Sequence, residues 1–189
     1  MTTPPSDAPT TWLGLLERAR HRGRQDPTSR YLQLATVGPD GAPHCRTIVV
    51  REVDESRLRF VTDARSAKID QLLAESRVEA CWYFSESREQ FRLSGRAHRL
   101  GPGDPVLLRL WRGLSPTARA SFAWPLPGTV RHEDDCFASS LAEPDPRPDF
   151  VVVEVAIAAV DWLSLLSSPH ERRRFTLAGD GWHSERLRP

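Results

Sequence analysis

The alternation of hydrophobic and polar positions predicts three strands in the first third of the chain. Residues Tyr31 to Val37 alternate, and Gly38 to Gly41 has the composition of a hairpin turn. The return strand begins near Pro43 and contains the β-branched run Thr47 to Val50. A third alternating run, Leu58 to Thr62, follows a short polar turn. This part of the chain is therefore expected to be mainly β.

Two other segments have the spacing of amphipathic helices. The first begins at Thr11, a residue type that caps helices well, and runs to about Arg22. Its apolar positions share one face: Trp12, Leu15, Leu16 and Ala19. The second follows Ser66, which we expect to cap it, and runs to about Glu75. Its apolar face consists of Ile69, Leu72 and Leu73.

The remainder of the chain adds more strands than helices. Strands are predicted at Val78 to Phe84, Gln90 to Leu100, Phe150 to Val160 and 163–166, with a C-terminal hairpin around the turn at 178–181. Short helices should start near Pro105 and Pro116. Gly95 should form a bulge. Residues 128–149 should form a long polar loop. Because there is no repeated strand–helix–strand pattern, G-x-G-x-x-G motif or P-loop, the expected fold is mainly β (α+β), a small antiparallel barrel with several short helices.

Length and composition restrict the class of protein. An apolar fraction of 39% and a charged fraction of 27% are ordinary, and a net charge of +1 predicts no general attraction to nucleic acid or membranes. No apolar run approaches the roughly 20 residues of a membrane span. Residues 1–10 are rich in Pro, Ser and Thr and lack signal-peptide features. We therefore expect a flexible N-terminal arm at 1–10 and a single domain at 11–189.

Cysteine and histidine spacing gives no metal-binding pattern. Cys45, Cys81 and Cys136 are widely separated, and none of the 6 histidines forms an H-x-x-x-H pair. We expect Cys45 and Cys81, which lie in strand-like runs, to be buried and inert. No metal is predicted, and this cysteine usage favours a reducing cytoplasm.

The stretch from Arg46 to Lys68 carries the clearest chemical signal. It places cationic and hydroxyl groups at strand ends and at a helix N-terminus, namely Arg46, Thr62, Ser66 and Lys68. Such a set suits a phosphate group. Lys68 is also the only lysine among 26 basic residues, which indicates a position that needs a compact ammonium. The alternative is an ordinary solvated lysine. The run Arg172 to Arg174 also has two interpretations that the sequence leaves open, a solvated cluster or an anion site.

Four motifs in a fixed order resemble one known family. They are R-T-I-V-V-R, V-T-D-x-R-S-A-K, E-Q-F-R-L-S-G-R-A, and R-R-F followed by D-G-W-x-x-x-R-L-x-P at the C-terminus. This order resembles the pyridoxamine 5'-phosphate oxidase family, which consists of FMN-binding split β-barrel proteins. The similarity spans about Tyr31 to Pro189, and the segment from Trp111 to Gly128 resembles a divergent, oxidase-related branch.

The resemblance implies roles for individual residues. Arg46 and Lys68 would hold the FMN phosphate with Ser66 nearby, and Gln90 and Arg174 would contact the flavin ring. The full set implied to bind the cofactor is Arg46, Ile48, Val49, Arg51, Val61, Thr62, Ser66, Lys68, Gln90, Trp162 and Arg174. The set implied to bind substrate is Trp111, Ser115, Arg119, His170 and Arg172. No catalytic acid or base is identified.

The sequence also departs from the family pattern. Ala67 replaces a second basic residue beside the phosphate lysine, and Arg51 replaces a lysine at the end of the first strand. The family's R-x-H pair for substrate phosphate falls on His170 and Arg172 in swapped order. The resemblance therefore supports flavin binding more strongly than the vitamin B6 substrate.

The resulting hypothesis is an FMN-dependent oxidoreductase that transfers hydride between a small-molecule substrate and FMN. It would be a homodimer with FMN at the subunit interface, because contacts from early strands and from Arg174 are hard to gather on one small surface. The alternative on the same barrel is a flavin carrier, or a flavin- or haem-related reductase, without pyridoxamine phosphate oxidase activity. A third class, an interaction module without cofactor, would be colourless when purified.

Overall fold

The computed structural model describes residues 11–189, and the proposed arm at 1–10 lies outside this range. Eight strands are present: β1 Tyr31–Val37, β2 Pro43–Val53, β3 Arg57–Asp63, β4 Arg77–Phe84, β5 Glu89–Arg99, β6 Phe150–Ser164, β7 Glu171–Ala178 and β8 Gly181–Leu187. The α-helices are α1 Trp12–Arg22, α2 Ala67–Ala74, α3 Pro105–Arg112 and α4 Pro116–Ala120. Two 3₁₀ turns lie at Pro27–Arg30 and Ser121–Ala123.

The strands form one antiparallel sheet in the order β3-β2-β1-β4-β5-β6-β7-β8, and β3 also pairs with β6. This last pairing closes β1 to β6 into a six-stranded barrel and leaves β7 and β8 as an extension. β6 is long enough to belong to both the barrel and the extension, since its first half pairs with β3 and its second half with β7. The predicted mainly β fold, an antiparallel split barrel with short helices, is confirmed.

Alternate residues of the barrel strands form the main core. Ile48 and Val50 of β2, Phe60 of β3 and Phe91 of β5 point inward, and each is at most 6% exposed. A second cluster of Trp111, Leu114, Phe122, Phe150 and Val152 lies where α3, α4 and the start of β6 meet. Burial of this much apolar surface is the main term that stabilises the fold.

The first predicted helix is confirmed and the second needs correction. Thr11 caps α1 by accepting a hydrogen bond from the Gly14 N–H at 3.2 Å, and the four predicted core residues of α1 are buried. Ser66 lies at the N-cap position of α2 but makes no side-chain cap. Leu73 is 71% exposed, whereas Gln71 is buried. The prediction that Leu73 faces the core is therefore wrong. Gln71 is buried in its place because its side chain has polar partners there.

Two differences appear in the second half of the chain. β6 continues without a break to Ser164, so the separate strand predicted at 163–166 does not exist. Residues 128–149 do lack helix and strand, as predicted. Two indole N–H groups form hydrogen bonds with the backbone of this loop. Trp111 donates to the Glu143 carbonyl at 3.0 Å, and Trp124 donates to the Ala138 carbonyl at 2.8 Å.

The cysteine expectation was wrong in part. Cys45 is exposed and Cys81 is half-buried, because both alternate to the outer face of their strands. Burial raises the pKa of the Cys81 thiol. No helix within residues 11–189 is long and apolar enough to span a membrane.

A bulge lies at the predicted level of β5, but its extra residue is on the facing strand. Ser94 pairs with Ala159 and Gly95 with Ile157, which leaves Ala158 of β6 unpaired. A Cβ atom at Gly95 would overlap the backbone carbonyl of Ala156 on the facing strand. The backbone of β5 cannot move away from this carbonyl without breaking its hydrogen bonds to β6, so only glycine fits here.

Replacing Gly95 with alanine should lower the free energy of unfolding by about 1–3 kcal/mol, the usual cost of overpacking. Gly101→Ala is the matched control, since a Cβ there meets nothing within 4 Å. Urea denaturation monitored by tryptophan fluorescence compares the two. Equal midpoints for both variants would contradict the proposed overlap.

Candidate functional site

Two cations lie together at one end of the barrel, where β1, β2, β3 and α2 meet. The Lys68 ammonium donates to the hydroxyls of Thr62 and Ser66, each at 2.9 Å. The Arg46 guanidinium donates to the Leu34 carbonyl at 3.1 Å and to Thr36 Oγ1 at 2.6 Å. It also donates to Gln71 Oε1 at 2.7 Å, which explains why that amide is buried.

Neutral oxygens are the only acceptors that these two cations contact within the described residues. The nearest acid, Asp63, is already paired with Arg65 at 2.6 Å, and Arg65 also approaches Asp149 at 3.6 Å. Lys68 has three N–H donors and Arg46 has five, so each keeps donors free. Two half-buried cations without a counter-ion in residues 11–189 suit an anion with two negative charges.

The pKa values reflect this uncompensated charge. Burial lowers the pKa of Lys68, and the neighbouring Arg46 lowers it further, while Asp63 opposes them. Burial also lowers the pKa of Arg46. A phosphate bound between Arg46 and Lys68 would favour their charged forms and so offset the effect of burial on their pKa values.

The start of α2 adds further donors to the same place. Ser66 donates its hydroxyl proton to the Asp63 carbonyl at 2.7 Å, which leaves its oxygen directed to Lys68. Within the described chain, the N–H groups of Ala67 and Lys68 have no acceptor. The first turn of a helix carries a partial positive charge, so these donors also suit a phosphate group.

The other residues predicted to contact the flavin ring lie on two separate faces. Val49 points outward from β2, and Gln90 points outward from β5. In the ring of six strands, β2 and β5 occupy opposite positions, three strand steps apart in either direction. Arg174 lies beyond β5, on the outer side of β7. One chain therefore does not bring Val49 together with Gln90 and Arg174.

Ile48 and Trp162 lie inside the barrel rather than on its surface. The Ile48 side chain belongs to the main core, so only its backbone is near the outer face. Trp162 is 2% exposed, and its indole N–H donates to the buried Glu89 carboxylate at 3.1 Å. Arg173 covers the same ring at 5.9 Å. This packing gives Trp162 a structural role within the protomer.

All five predicted substrate residues make contacts within the chain. Trp111 is fully buried, and Ser115 caps α4 by accepting from the Ala118 N–H at 3.2 Å. The Arg119 guanidinium donates to three carbonyl groups, those of Trp111, Arg112 and Glu143. His170 contacts the Ser167 carbonyl at 2.9 Å. Arg172 forms a bidentate pair with Asp161, at 3.0 and 2.9 Å.

A cavity of about 390 Å³ lies beside Asp63 and beside Thr62, whose hydroxyl accepts from Lys68. Thr62, Val61 and Arg51 form one side, and the α3–α4 region forms an apolar wall with Leu114, Phe122 and Trp124. The sequence did not identify this wall, because its residues have the spacing of ordinary core positions. Arg51 is half-buried, and its Nε–H has no acceptor among the described residues.

A larger cavity, of about 770 Å³, lies elsewhere, between the start of α3 and the segment 145–148. None of the predicted site residues lines it. Its Arg147 side chain is paired with Glu143 at 3.1 Å, and Asp104 and Asp145 add negative charge. The smaller cavity is the better candidate, because it adjoins cations that lack acidic partners.

Comparison with known proteins agrees with this geometry. Residues 9–101 match the model of the family described as pyridoxamine 5'-phosphate oxidase, FMN-binding domain. The chain is 31% identical to a pyridoxine/pyridoxamine 5'-phosphate oxidase 2 of Arabidopsis thaliana, over 94% of this chain and 96% of that protein. It is 29% identical to a dihydrophenazinedicarboxylate synthase of Pseudomonas chlororaphis, over 98% of this chain and 86% of the relative.

A solved structure is similar along almost the whole chain. It is a pyridoxamine 5'-phosphate oxidase-related, FMN-binding protein of Nostoc punctiforme, with a TM-score of 0.88 and 37% identity. The match covers 96% of this chain and all of that one. The cation pair, the helix N-terminus and the barrel fit FMN as the cofactor. The chain therefore belongs to the pyridoxamine 5'-phosphate oxidase family of FMN-binding split-barrel proteins.

Proposed function

We propose that this protein is an FMN-dependent oxidoreductase that acts on a small, largely apolar substrate. The observation that carries the proposal is the pair of half-buried cations, Arg46 and Lys68, without an acidic partner among the described residues. A chain with 25 acidic residues leaves few buried cations unpaired unless an anionic ligand compensates them. FMN, the cofactor of this family, brings such an anion in its phosphate group.

The chain's own residues divide the work of holding the cofactor. Arg46, Lys68, Thr62 and Ser66 bind the phosphate. Val49 and Val61, with the backbone at Ile48, provide a surface for the ring, and Arg51 lines the adjoining cavity. Held by these residues, FMN would supply two-electron redox chemistry between the substrate and oxygen or another acceptor. The protein contributes position, charge and exclusion of water.

Replacing Lys68 with alanine should weaken FMN binding about ten- to a hundredfold. The reason is the loss of a charge-assisted hydrogen bond, worth roughly 1.5–3 kcal/mol. Arg65→Ala is the matched control, because Arg65 also lies beside α2 but is neutralised by Asp63 and Asp149. Titration of apoprotein, followed by flavin fluorescence, measures both. Equal losses in the two variants would remove Lys68 from the phosphate site.

We also propose that the working unit is a homodimer with FMN at the subunit interface. The support is the position of β2 and β5 on opposite sides of the barrel. A flavin beside Val49 on one protomer can contact Gln90 and Arg174 only if a second protomer supplies them. Tyr31 and Tyr83 lie on the outer face between these strands and are 40% and 49% exposed, which suits a surface that a partner covers.

Light scattering at micromolar concentration should give twice the 21.3 kDa mass of the chain. Gln90→Ala should weaken FMN binding without changing that mass, since it removes a ring contact and leaves Tyr31 and Tyr83 in place. An FMN-loaded monomer would refute the shared site. A dimer whose FMN affinity is unaffected by Gln90→Ala would exclude Gln90 from the ring contacts.

The substrate that the site supports best lacks a phosphate group. Trp111 is buried, Ser115 caps a helix, and Arg119, His170 and Arg172 contact groups within the chain. The 390 Å³ cavity offers apolar walls together with Arg51 and with Asp63, which Arg65 neutralises. An aromatic ring that carries carboxylate groups in place of a phosphate fits this combination. The name of the Pseudomonas chlororaphis relative, a dihydrophenazinedicarboxylate synthase, describes a fused-ring carboxylate of this kind.

Anaerobic mixing of FMN-loaded protein with candidate donors tests the proposal directly. We expect the flavin to stay oxidised with pyridoxamine 5'-phosphate and to bleach with a donor that lacks phosphate, such as a dihydrophenazine carboxylate. Bleaching within seconds by pyridoxamine 5'-phosphate would establish the other substrate class. A flavin that no donor reduces would favour the alternative function, a flavin carrier on the same barrel.

We propose a cytoplasmic location for the protein. The support is its three cysteines, which are free thiols.

A further inference from the structure

A third cavity, of about 370 Å³, lies between the second half of α1 and the 3₁₀ turn at Pro27–Arg30. We call it the α1 cavity. It shares no lining residue with the two cavities described above. Its volume falls in the range that is typical of sites for small ligands. The residues that line it are mostly basic: Arg20, His21, Arg24 and Arg30, with Glu17 and Ser29.

The three arginines of the α1 cavity form no ion pair with an acid among residues 11–189. Glu17 is the single acidic residue in the lining. The acid that lies between these arginines in sequence, Asp26, is engaged elsewhere. It caps the 3₁₀ turn and accepts from the backbone N–H and the hydroxyl of Thr28, at 2.8 and 2.6 Å. Three positive charges therefore line the α1 cavity with one negative charge, which favours an anionic ligand.

Contacts with neutral groups hold this cavity in shape. The Arg20 guanidinium lies over the Trp82 ring, 5.7 Å from its centroid. The same indole donates its N–H to the Ser29 carbonyl at 3.0 Å, which joins the 3₁₀ turn to β4. Arg24 contacts His21 Nε2 at 2.8 Å, and the histidine nitrogen accepts because a guanidinium has only donors. Groups that are held in place before a ligand arrives lose less conformational entropy when it binds.

Compensation of the helix dipole does not account for these side chains. Basic residues near a helix C-terminus often donate to its last carbonyl groups. In α1, backbone groups do this instead, because the Gly23 N–H donates to the Ala19 carbonyl at 3.1 Å and the Arg24 N–H to the His21 carbonyl at 3.4 Å. Within the described residues, no arginine side chain of the α1 cavity donates to a backbone carbonyl. Arg30 lies beyond the helix altogether.

We propose that the α1 cavity binds the diphosphate group of a small molecule. Guanidinium groups bind phosphate oxygens through parallel N–H donors. A diphosphate carries charge at both ends, so it reaches arginines on α1 and on the 3₁₀ turn together. The concave shape favours a small molecule over the extended backbone of a nucleic acid, and the net charge of +1 provides no general attraction to nucleic acid. This site goes beyond the proposed function and does not depend on it.

Isothermal titration calorimetry of the full chain with pyrophosphate, in the presence of excess FMN, tests this site. The double variant Arg24→Gln with Arg30→Gln should weaken pyrophosphate binding at least about tenfold, the usual effect of losing charge-assisted hydrogen bonds. Both side chains are exposed, so the fold does not depend on them. Arg22→Gln is the matched control, because Arg22 is an exposed arginine of α1 that does not line the cavity. It should leave the affinity within about threefold, since exposed charges are screened by salt.

A further variant separates the α1 cavity from the proposed flavin site. Lys68→Ala, titrated without FMN, should keep the wild-type affinity for pyrophosphate, and a tenfold loss there would place pyrophosphate at Lys68 and overturn the inference. Equal losses from Arg22→Gln and from the double variant would also overturn it, as would wild-type protein that binds no pyrophosphate.

Two other ligands identify the source of the diphosphate. ADP that binds at least as tightly as pyrophosphate, with the same sensitivity to the double variant, supports the site and indicates a nucleotide. Weaker binding of ADP supports the site and indicates a free diphosphate. A single-stranded oligonucleotide that binds more tightly than both and displaces pyrophosphate would make this region a nucleic-acid surface and would refute the proposal.

Discussion

The pairing of β3 with β6 is the constraint on which the rest of the structure depends. It joins segments about 95 residues apart and closes six strands into a barrel, so that alternate side chains of every strand share one core. Closure also fixes the outer surface. It places β2 and β5 on opposite sides, and it brings the start of β6 to α3 and α4, where the apolar wall of the smaller cavity forms.

The distribution of paired and unpaired charges separates structural arginines from candidate binding residues. Arg59 lies between Glu52 and Glu154, Arg65 is held by Asp63, and Arg172 is held by Asp161. The opposite charges in such pairs compensate each other, so these arginines attract other anions only weakly. Arg46, Lys68 and Arg51 differ because their described contacts are with neutral groups or with none. In a chain whose overall charge is close to zero, this local imbalance indicates the site better than any count of basic residues.

Membership of the family defines the barrel and the cofactor, but it does not define the substrate. The relatives include a pyridoxine/pyridoxamine 5'-phosphate oxidase and a dihydrophenazinedicarboxylate synthase, and the chain resembles both about equally in sequence. The difference between such substrates must come from a few side chains beside the flavin. In this chain Arg119, His170 and Arg172 make contacts with other groups of the same protomer.

The sequence by itself determined the strands, most of their bounds and the stretch that we propose binds phosphate. Alternation specified β1, β2 and β3, and the glycine at 95 specified the level of the bulge, because these signals depend on neighbouring residues and on backbone geometry alone. Arg46, Thr62, Ser66 and Lys68 could be named together because they fall within one local strand–helix unit. The resemblance to a family then supplied the cofactor.

Only the tertiary structure decided which side chains remain free to bind. Helical spacing placed Leu73 in the core and left out Gln71, because the acceptor role of Gln71 toward Arg46 and Thr36 comes from strands more than 20 residues away. The engagement of Arg172 by Asp161 was likewise invisible, since a cross-strand contact depends on register. The separation of β2 from β5 also follows from closure. Local patterns fix secondary structure, whereas charge compensation and the division of a site between faces depend on contacts distant in sequence.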